Sequence, residues 1–395
     1  MCANNSSDMQ SLLEIWDKIR ERIDRLKNKS ESQKLMEMAT HEKRFRKFRA
    51  RKANNSILCM IDGCGSPAIQ SHTISENCYL SNIAIDGHLL RFEPRDNKLE
   101  RRLVLCPVGI QDATVFKGYC SQHDNDIYVE IDKEPLKSIR GVLLQCLRVI
   151  DYSLYWESFA CLYIQAGNEQ ISNETGIDVD KLCFNHRYRI IGEILNLQCI
   201  MQYEIESDQY KDFGYHFHLA TYDNYEIHFE RSSLKIPVAM YNYFTLSTGR
   251  MVYVIVLPAE EHTDLIMICN KDLDLGLRWQ NMVRNPISIL NFVESCMMMG
   301  ENWVACPSVF NSMTEEKKRV ITEDLMYYKC RTLCDGVDYD MSIFDDIRKN
   351  IISCMPDGDP QKAIEELKIS QIPVRDINSM KEKFFSKLSN ETFHY

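Results

Sequence analysis

The sequence predicts an α+β fold with N-terminal helices, a small Cys- and His-rich domain, and a larger domain of helices and antiparallel sheet. Apolar residues recur at helical spacing near the N-terminus, while Gly, Cys and His cluster between residues 57 and 134. From Tyr215 the apolar pattern changes to a period of two in several consecutive runs. Runs of that kind separated by turn residues are typical of antiparallel strands.

Composition excludes several classes of protein. The chain has 395 residues, of which 45% are hydrophobic and 26% charged, which is ordinary globular usage and argues against disordered or collagen-like chains. Its apolar runs fall short of the roughly 18–20 residues that a membrane span needs, so we expect no membrane partner. We also recognise no secretory signal, and the 16 cysteines are therefore expected to be reduced thiols in a cytoplasmic protein.

The elements follow in order along the chain and define three predicted domains, 1–56, 57–135 and 136–395. Helical spacing covers residues 11–29 and 33–51, and the segment from 57 to 134 has short strands and turns. Long apolar helices are predicted next, then strands, then a helical tail. The helices after residue 135 are predicted over 138–165, 180–205, 287–299, 315–328 and 360–367.

Charge is unevenly distributed. The formal net charge is −10, yet residues 1–52 hold 14 Lys and Arg against 8 Asp and Glu. A helix with closely spaced cations and two Phe residues suits the backbone of a nucleic acid. The alternative is a solvated helix that packs Phe45 and Phe48 on the body of the protein. The candidate nucleic-acid contacts are Lys43, Arg44, Arg46, Lys47, Arg49, Arg51 and Lys52.

Two pairs of soft ligands lie in the small domain. Cys59 and Cys64 are separated by four residues, and Cys120 and His123 by two. Four such ligands complete a tetrahedral zinc site, and a domain of this size with much loop has a thin core that a metal would stabilise. The alternative is a set of reduced core cysteines with a surface histidine. If one ligand is misassigned, the best substitutes in the same segment are Cys78 and Cys106.

Two further residues make the pattern specific. Ser71 and His72 lie between the ligand pairs in PAIQSHTIS, and KGYCSQHD ends with Asp124 directly after His123. This arrangement resembles the HNH or ββα-metal (treble-clef) nucleases, particularly the endonuclease VII-like subtype, and uncharacterised bacterial HNH-like proteins with an SH…GFCxxHD signature. The resemblance covers roughly residues 57–135. It departs from the family at Ser71, where relatives often have an acidic residue.

The resemblance implies a metal-dependent endonuclease. In that reading His72 is the general base that takes a proton from water, and Asp124 binds a catalytic Mg²⁺ or Mn²⁺. The zinc at Cys59, Cys64, Cys120 and His123 would be structural. DNA is favoured over RNA as the substrate. The simpler alternatives are a packed or surface histidine at position 72 and a helix N-cap at Asp124.

Three functional hypotheses follow. The first is the nuclease, restrained by a regulatory, sensing or oligomerising domain (136–395), an arrangement that by analogy suits an effector of bacterial anti-phage defence. The second is a catalytically inactive, zinc-stabilised scaffold that binds nucleic acid. The third is an interaction module in which residues 136–395 bind a protein partner or a second copy of the chain.

Overall fold

The computed structural model describes residues 57–97, 100–175, 185–207, 225–245, 250–273, 275–327 and 338–380, together with Ser30, Gln33, Lys43, Arg44, Lys47 and Glu382. The predicted helix over 11–29 lies outside these residues. Within the second predicted helix, Gln33, Lys43, Arg44 and Lys47 are helical. Ser30 and Gln33 exchange hydrogen bonds between side chain and backbone N–H, which is the capping box of a helix N-terminus.

The fold is α+β, as predicted, with every strand pair antiparallel. A seven-stranded sheet has the order β3-β2-β9-β6-β7-β8-β5, and β1 pairs with β4 in a separate two-stranded sheet. The described strands are β1 Ser71–His72, β2 His88–Asn97, β3 Glu100–Gly109, β4 Val115–Phe116, β5 Tyr225–Ser232, β6 Val238–Thr245, β7 Met251–Pro258, β8 Thr263–Asn270 and β9 Trp303–Ala305.

Helices cover both faces of the large sheet. α2 and α3 pack on one face, and most of the later helices pack on the other. None of the helices in the described ranges has an apolar stretch long enough to cross a bilayer. The described α-helices are α1 Ser121–Lys133, α2 Ile139–Thr175, α3 Asn185–Ser207, α4 Leu275–Met282, α5 Pro286–Met299, α6 Pro307–Asn311, α7 Glu315–Tyr327, α8 Asp345–Ser353 and α9 Pro360–Ser370.

The central strands have sequences that are apolar almost throughout, because both of their faces are covered. β7 and β8 are buried at every residue. Alternate residues of β7 enter different cores: Tyr253 and Ile255 face α2 and α3, whereas Val252 and Val254 face the opposite layer. A strand covered on both sides has no solvent face, so the usual polar alternation is lost.

The hairpin of β2 and β3 extends the large sheet, although it lies within the predicted 57–135 domain. Leu90 in β2 pairs with Ala305 in β9, which brings the hairpin beside a strand from the C-terminal part of the chain. The rest of that segment, residues 57–87 and 110–133, forms what we call the small unit, which contains β1, β4 and α1. Its buried residues share one apolar core with α2, α3 and the sheet.

A buried ionic network joins α5, α8 and α9. Arg348 and Glu294 are both fully buried, and the Arg348 guanidinium donates to the Glu294 carboxylate at 2.6 Å and to the carboxylate of Glu365. Glu294 also accepts hydrogen bonds from the backbone N–H groups of Ile343 and Phe344. Every charge in this network therefore has a partner inside the core.

Replacing Arg348 with Met is expected to lower the free energy of unfolding by about 3–5 kcal/mol, because it removes the guanidinium from two buried carboxylates and leaves only Lys368 beside Glu294. Urea denaturation measures the change. The matched control is Lys349→Met. Lys349 is exposed, and its ion pair with Asp346 on the same helix contributes little to the free energy of unfolding. Equal denaturation midpoints for the two variants would contradict a stabilising role for the network.

Candidate functional site

The four predicted zinc ligands come from two local structures. Cys59 and Cys64 lie on a tight turn whose flanks are joined by hydrogen bonds from Cys59 N–H to the Ser66 carbonyl and from Ala68 N–H to the Ile57 carbonyl. Gly63 has φ +76°, a left-handed conformation that favours glycine in such a turn. Cys120 immediately precedes α1 and His123 lies in its first turn, so both side chains reach the same point.

The distances fit a single tetrahedral ion. The Cys59 and Cys120 sulfurs lie 3.3 and 3.4 Å from Nδ1 of His123, and the Cys64 and Cys120 sulfurs are 3.9 Å apart. All four donor atoms lie within 4.8 Å of one another. Zn–S and Zn–N bonds of normal length, at tetrahedral angles, place sulfurs about 3.8 Å apart and sulfur about 3.5 Å from nitrogen. The cluster could therefore hold a metal ion such as zinc.

The two thiols of the turn differ in how readily they lose a proton. A hydrogen bond from the backbone of Ser66 lowers the pKa of the Cys64 thiol to about 7, whereas burial raises the pKa of Cys59. Thiolates are the form that binds metal, so Cys64 is the more readily available of these two. The substitute ligands do not join: the thiol of Cys78 donates to the Asp132 carbonyl, and Cys106 is buried in β3.

His72 lies on β1, opposite Val115 of β4, with its side chain 20% exposed. Its Nε2 is 3.1 Å from the carbonyl oxygen of Ile110. Because a carbonyl only accepts hydrogen bonds, this contact assigns the proton to Nε2 and leaves the lone pair on Nδ1. Glu76 Oε2 is 3.7 Å from the same Nε2. The arrangement is that of an oriented imidazole that can accept a proton at Nδ1.

Asp124 lies in the first turn of α1, and its backbone N–H bonds to the carbonyl of Cys120. It is therefore inside the helix, and the alternative role of N-cap belongs to Cys120. Asp124 Oδ1 is 3.4 Å from Nη2 of Arg148. His72 and Asp124 are not hydrogen-bond or ion-pair partners of each other, and no described carboxylate, Cys or His completes a three-ligand cluster with Asp124.

A row of polar side chains on α2 attaches the small unit to the rest of the molecule. Gln145, Arg148 and Asp151 recur every three residues and are all buried. Gln145 donates to the Thr73 carbonyl and Arg148 donates two hydrogen bonds to Asp132. The Arg148 guanidinium also lies 4.5 Å above the Tyr128 ring. The three-residue spacing of these polar residues within an apolar helix is visible in the sequence, but we did not predict from it that they would attach the small unit.

Asp151 completes the row and accepts hydrogen bonds from the Tyr119 and Tyr128 hydroxyls and from the Gln198 amide. Burial raises the pKa of Asp151 to about 6, although these donors act to lower it. The folded protein therefore holds a proton at pH values where the unfolded chain has already lost it.

The free energy of unfolding is thus expected to fall as pH rises from about 4 to about 6, because the folded state binds more protons in that window. The raised pKa corresponds to at most about 3 kcal/mol. Asp151→Asn keeps the shape and removes the titration, so the difference in stability between the two proteins should change across this range. Urea denaturation at pH 4–7 measures it, and parallel pH curves would contradict the role given to Asp151.

The predicted nucleic-acid contacts are described only in part. Lys43, Arg44 and Lys47 are helical and exposed. The remaining candidates lie outside the described residues, and they are Arg46, Arg49, Arg51 and Lys52.

No protein-family model, curated protein or solved structure matches the chain.

Proposed function

We propose that the chain is a zinc-stabilised endonuclease of the HNH or ββα-metal type that hydrolyses phosphodiester bonds, with DNA favoured over RNA. The observation that carries this proposal is the convergence of Cys59, Cys64, Cys120 and His123 on one point at the start of α1. The β1–β4 pair that bears His72 belongs to the same unit, and Asp124 directly follows the last ligand. A two-stranded antiparallel pair, a zinc cluster and a following helix are the parts that this class of nuclease needs.

The chemistry assigned to His72 follows from its hydrogen bond. With Nε2–H donating to the Ile110 carbonyl, Nδ1 accepts a proton from the attacking water, and the carbonyl dipole stabilises the imidazolium that forms. Asp124 supplies a carboxylate on α1 of the same small unit. A Mg²⁺ or Mn²⁺ ion held at the Asp124 carboxylate would supply Lewis-acid stabilisation of the phosphoryl oxygens.

Binding of the substrate is assigned to the basic helix. Lys43, Arg44 and Lys47 are exposed on it, so their charges are accessible to phosphate. Together with Arg46, Arg49, Arg51 and Lys52 they are proposed to contact the nucleic-acid backbone without reading its sequence. Affinity should therefore decrease steeply with salt.

One observation favours a second function, a catalytically inactive zinc-stabilised scaffold that binds nucleic acid or protein. The Arg148 guanidinium, which bonds mainly to Asp132, also lies 3.4 Å from the Asp124 carboxylate, and Arg148 is only 1% exposed, which keeps it away from substrate. Ser71, which stands where relatives often have an acidic residue, is buried and offers no carboxylate. An ion at Asp124 would then have a single charged protein ligand and a neighbouring positive charge.

A cleavage assay separates the two functions. The full chain is incubated with supercoiled plasmid, and in parallel with single-stranded RNA, in Mg²⁺, in Mn²⁺ and in EDTA. The proposal predicts plasmid nicking that needs the divalent ion, is lost in Asp124→Asn and is retained in Asp86→Asn, a change at an exposed turn. Absence of cleavage with both metals, combined with salt-dependent binding of the same DNA, would support the scaffold instead.

A further inference from the structure

A second group of side chains that could bind a metal lies on β5, the edge strand of the large sheet at the end away from the β2–β3 hairpin. Glu226 of β5 is the direct pairing partner of Cys269 in β8. His228 is two residues further along β5, and side chains two residues apart point to the same face of a sheet. The three side chains therefore converge although they come from separate strands.

Their donor atoms are close enough to share an ion. One atom each of Glu226, His228 and Cys269 lies within 4.8 Å of both others. His228 Nε2 is 3.2 Å from Glu226 Oε2, close to the separation of about 3.3 Å expected for nitrogen and oxygen at neighbouring corners of a zinc tetrahedron. The same atoms could not all meet if the β5–β8 pairing shifted by one residue, because one set would turn to the other face.

Packing holds two of these side chains in place and leaves the third accessible. His228 and Cys269 are buried, and the His228 ring stacks on Trp279 of α4 with a centroid separation of 5.9 Å. The Glu226 side chain is 25% exposed. An ion would thus have two buried ligands, His228 and Cys269, and one partly exposed carboxylate ligand, Glu226, on the side that solvent can reach.

We propose that Glu226, His228 and Cys269 form a second metal site, separate from the four-ligand cluster, for Zn²⁺ or a similar borderline ion. A thiolate, an imidazole and a carboxylate are a donor set that suits Zn²⁺ or Co²⁺ and does not suit Mg²⁺ or Ca²⁺, which prefer oxygen alone. Three protein ligands leave a fourth position open to water or to a ligand group from solvent. On binding, the Cys269 thiol forms a sulfur–metal bond and releases its proton to solvent.

Metal counting tests this proposal in the full chain. Apo protein is titrated with Co²⁺, and bound metal is read from thiolate-to-cobalt charge-transfer absorption and from direct metal analysis after gel filtration. The unmodified chain should bind two ions. Cys64→Ser should retain the second site, and Cys269→Ala should lose it. Cys296→Ala is the matched control, because Cys296 is equally buried in the same core and lies in no cluster of described ligands.

A second variant covers the case in which Cys269→Ala fails to fold. Glu226→Gln changes a partly exposed side chain and keeps an acceptor for His228, and it should weaken Co²⁺ binding to the second site by at least about tenfold. Loss of the same amount of metal from Cys269→Ala and Cys296→Ala, or unchanged affinity in Glu226→Gln, would overturn the second site. Neither outcome depends on nuclease activity, so the two proposals fail separately.

Discussion

Cys120→Ser is expected to release one equivalent of zinc per chain and to loosen the part of the small unit around the cluster. The Cys120 sulfur lies near Cys64 of the turn and near His123 of α1, so it helps to join the two pairs. The apparent free energy of zinc binding in zinc-finger peptides is about 10–16 kcal/mol. The small unit also shares an apolar core with α2, α3 and the sheet, so we expect the effect of losing the ion to be local. Loss of this ligand should therefore separate the turn at residues 59–64 from the start of α1.

Zinc content after gel filtration and hydrogen exchange across residues 57–68 and α1 measure the effect. The matched control is Cys78→Ser, in the same part of the chain, where serine can still donate to the Asp132 carbonyl. The control should keep its zinc and its slow exchange. If Cys120→Ser kept the full metal content, or exchanged no faster than Cys78→Ser, the cluster would not be a structural zinc site.

His72→Ala should reduce the rate of cleavage by about 10²–10⁴-fold, the usual contribution of a general base. Because His72 is not a ligand and contacts Ile110 and Glu76 only at the edge of the small unit, zinc content should remain unchanged. The measurement is the single-turnover rate of plasmid nicking in the presence of the divalent ion.

His88→Ala is the control for this variant, since His88 is an exposed histidine that bonds only to the backbone of its own turn. It should nick plasmid at the rate of the unmodified chain. A His72→Ala variant that cleaved at the rate of His88→Ala would remove His72 from the mechanism. Equal loss in both variants would indicate a general effect on folding.

The four residues of the cluster could be predicted from the sequence because each pair is local. Cys59 and Cys64 flank a glycine-containing turn, and Cys120 and His123 are separated by less than one helical turn. Only the meeting of the two pairs is long-range, and the chemistry of tetrahedral zinc supplies that constraint. The main helices and strands were predictable for the same reason, since periodicity is a local property.

Contacts between distant segments could not be predicted in this way. The β2–β3 hairpin joins the large sheet through Leu90 and Ala305, and nothing near Leu90 identifies its partner. The second cluster shows the same limit, because Glu226, His228 and Cys269 are brought together only by the register of β5 and β8. Taken one at a time, each of these residues has the sequence context of an ordinary strand residue and does not predict a metal site.

The polar row on α2 is an intermediate case. Gln145, Arg148 and Asp151 stand at regular spacing in an apolar helix, which predicts that they share one face. Their partners, however, come from the small unit and from α3, so the sequence did not indicate that Arg148 would lie beside Asp124. That contact bears directly on the choice between an active nuclease and a scaffold.

We propose that one zinc ion joins the turn at Cys59 and Cys64 to the N-terminus of α1. Anomalous diffraction from a crystal of the zinc-loaded chain, measured at the zinc absorption edge, tests it most directly. We predict a peak about 2.3 Å from the sulfurs of Cys59, Cys64 and Cys120 and about 2.0–2.1 Å from Nδ1 of His123. A map with no peak among these four atoms, or with the two pairs of side chains pointing apart, would contradict the account.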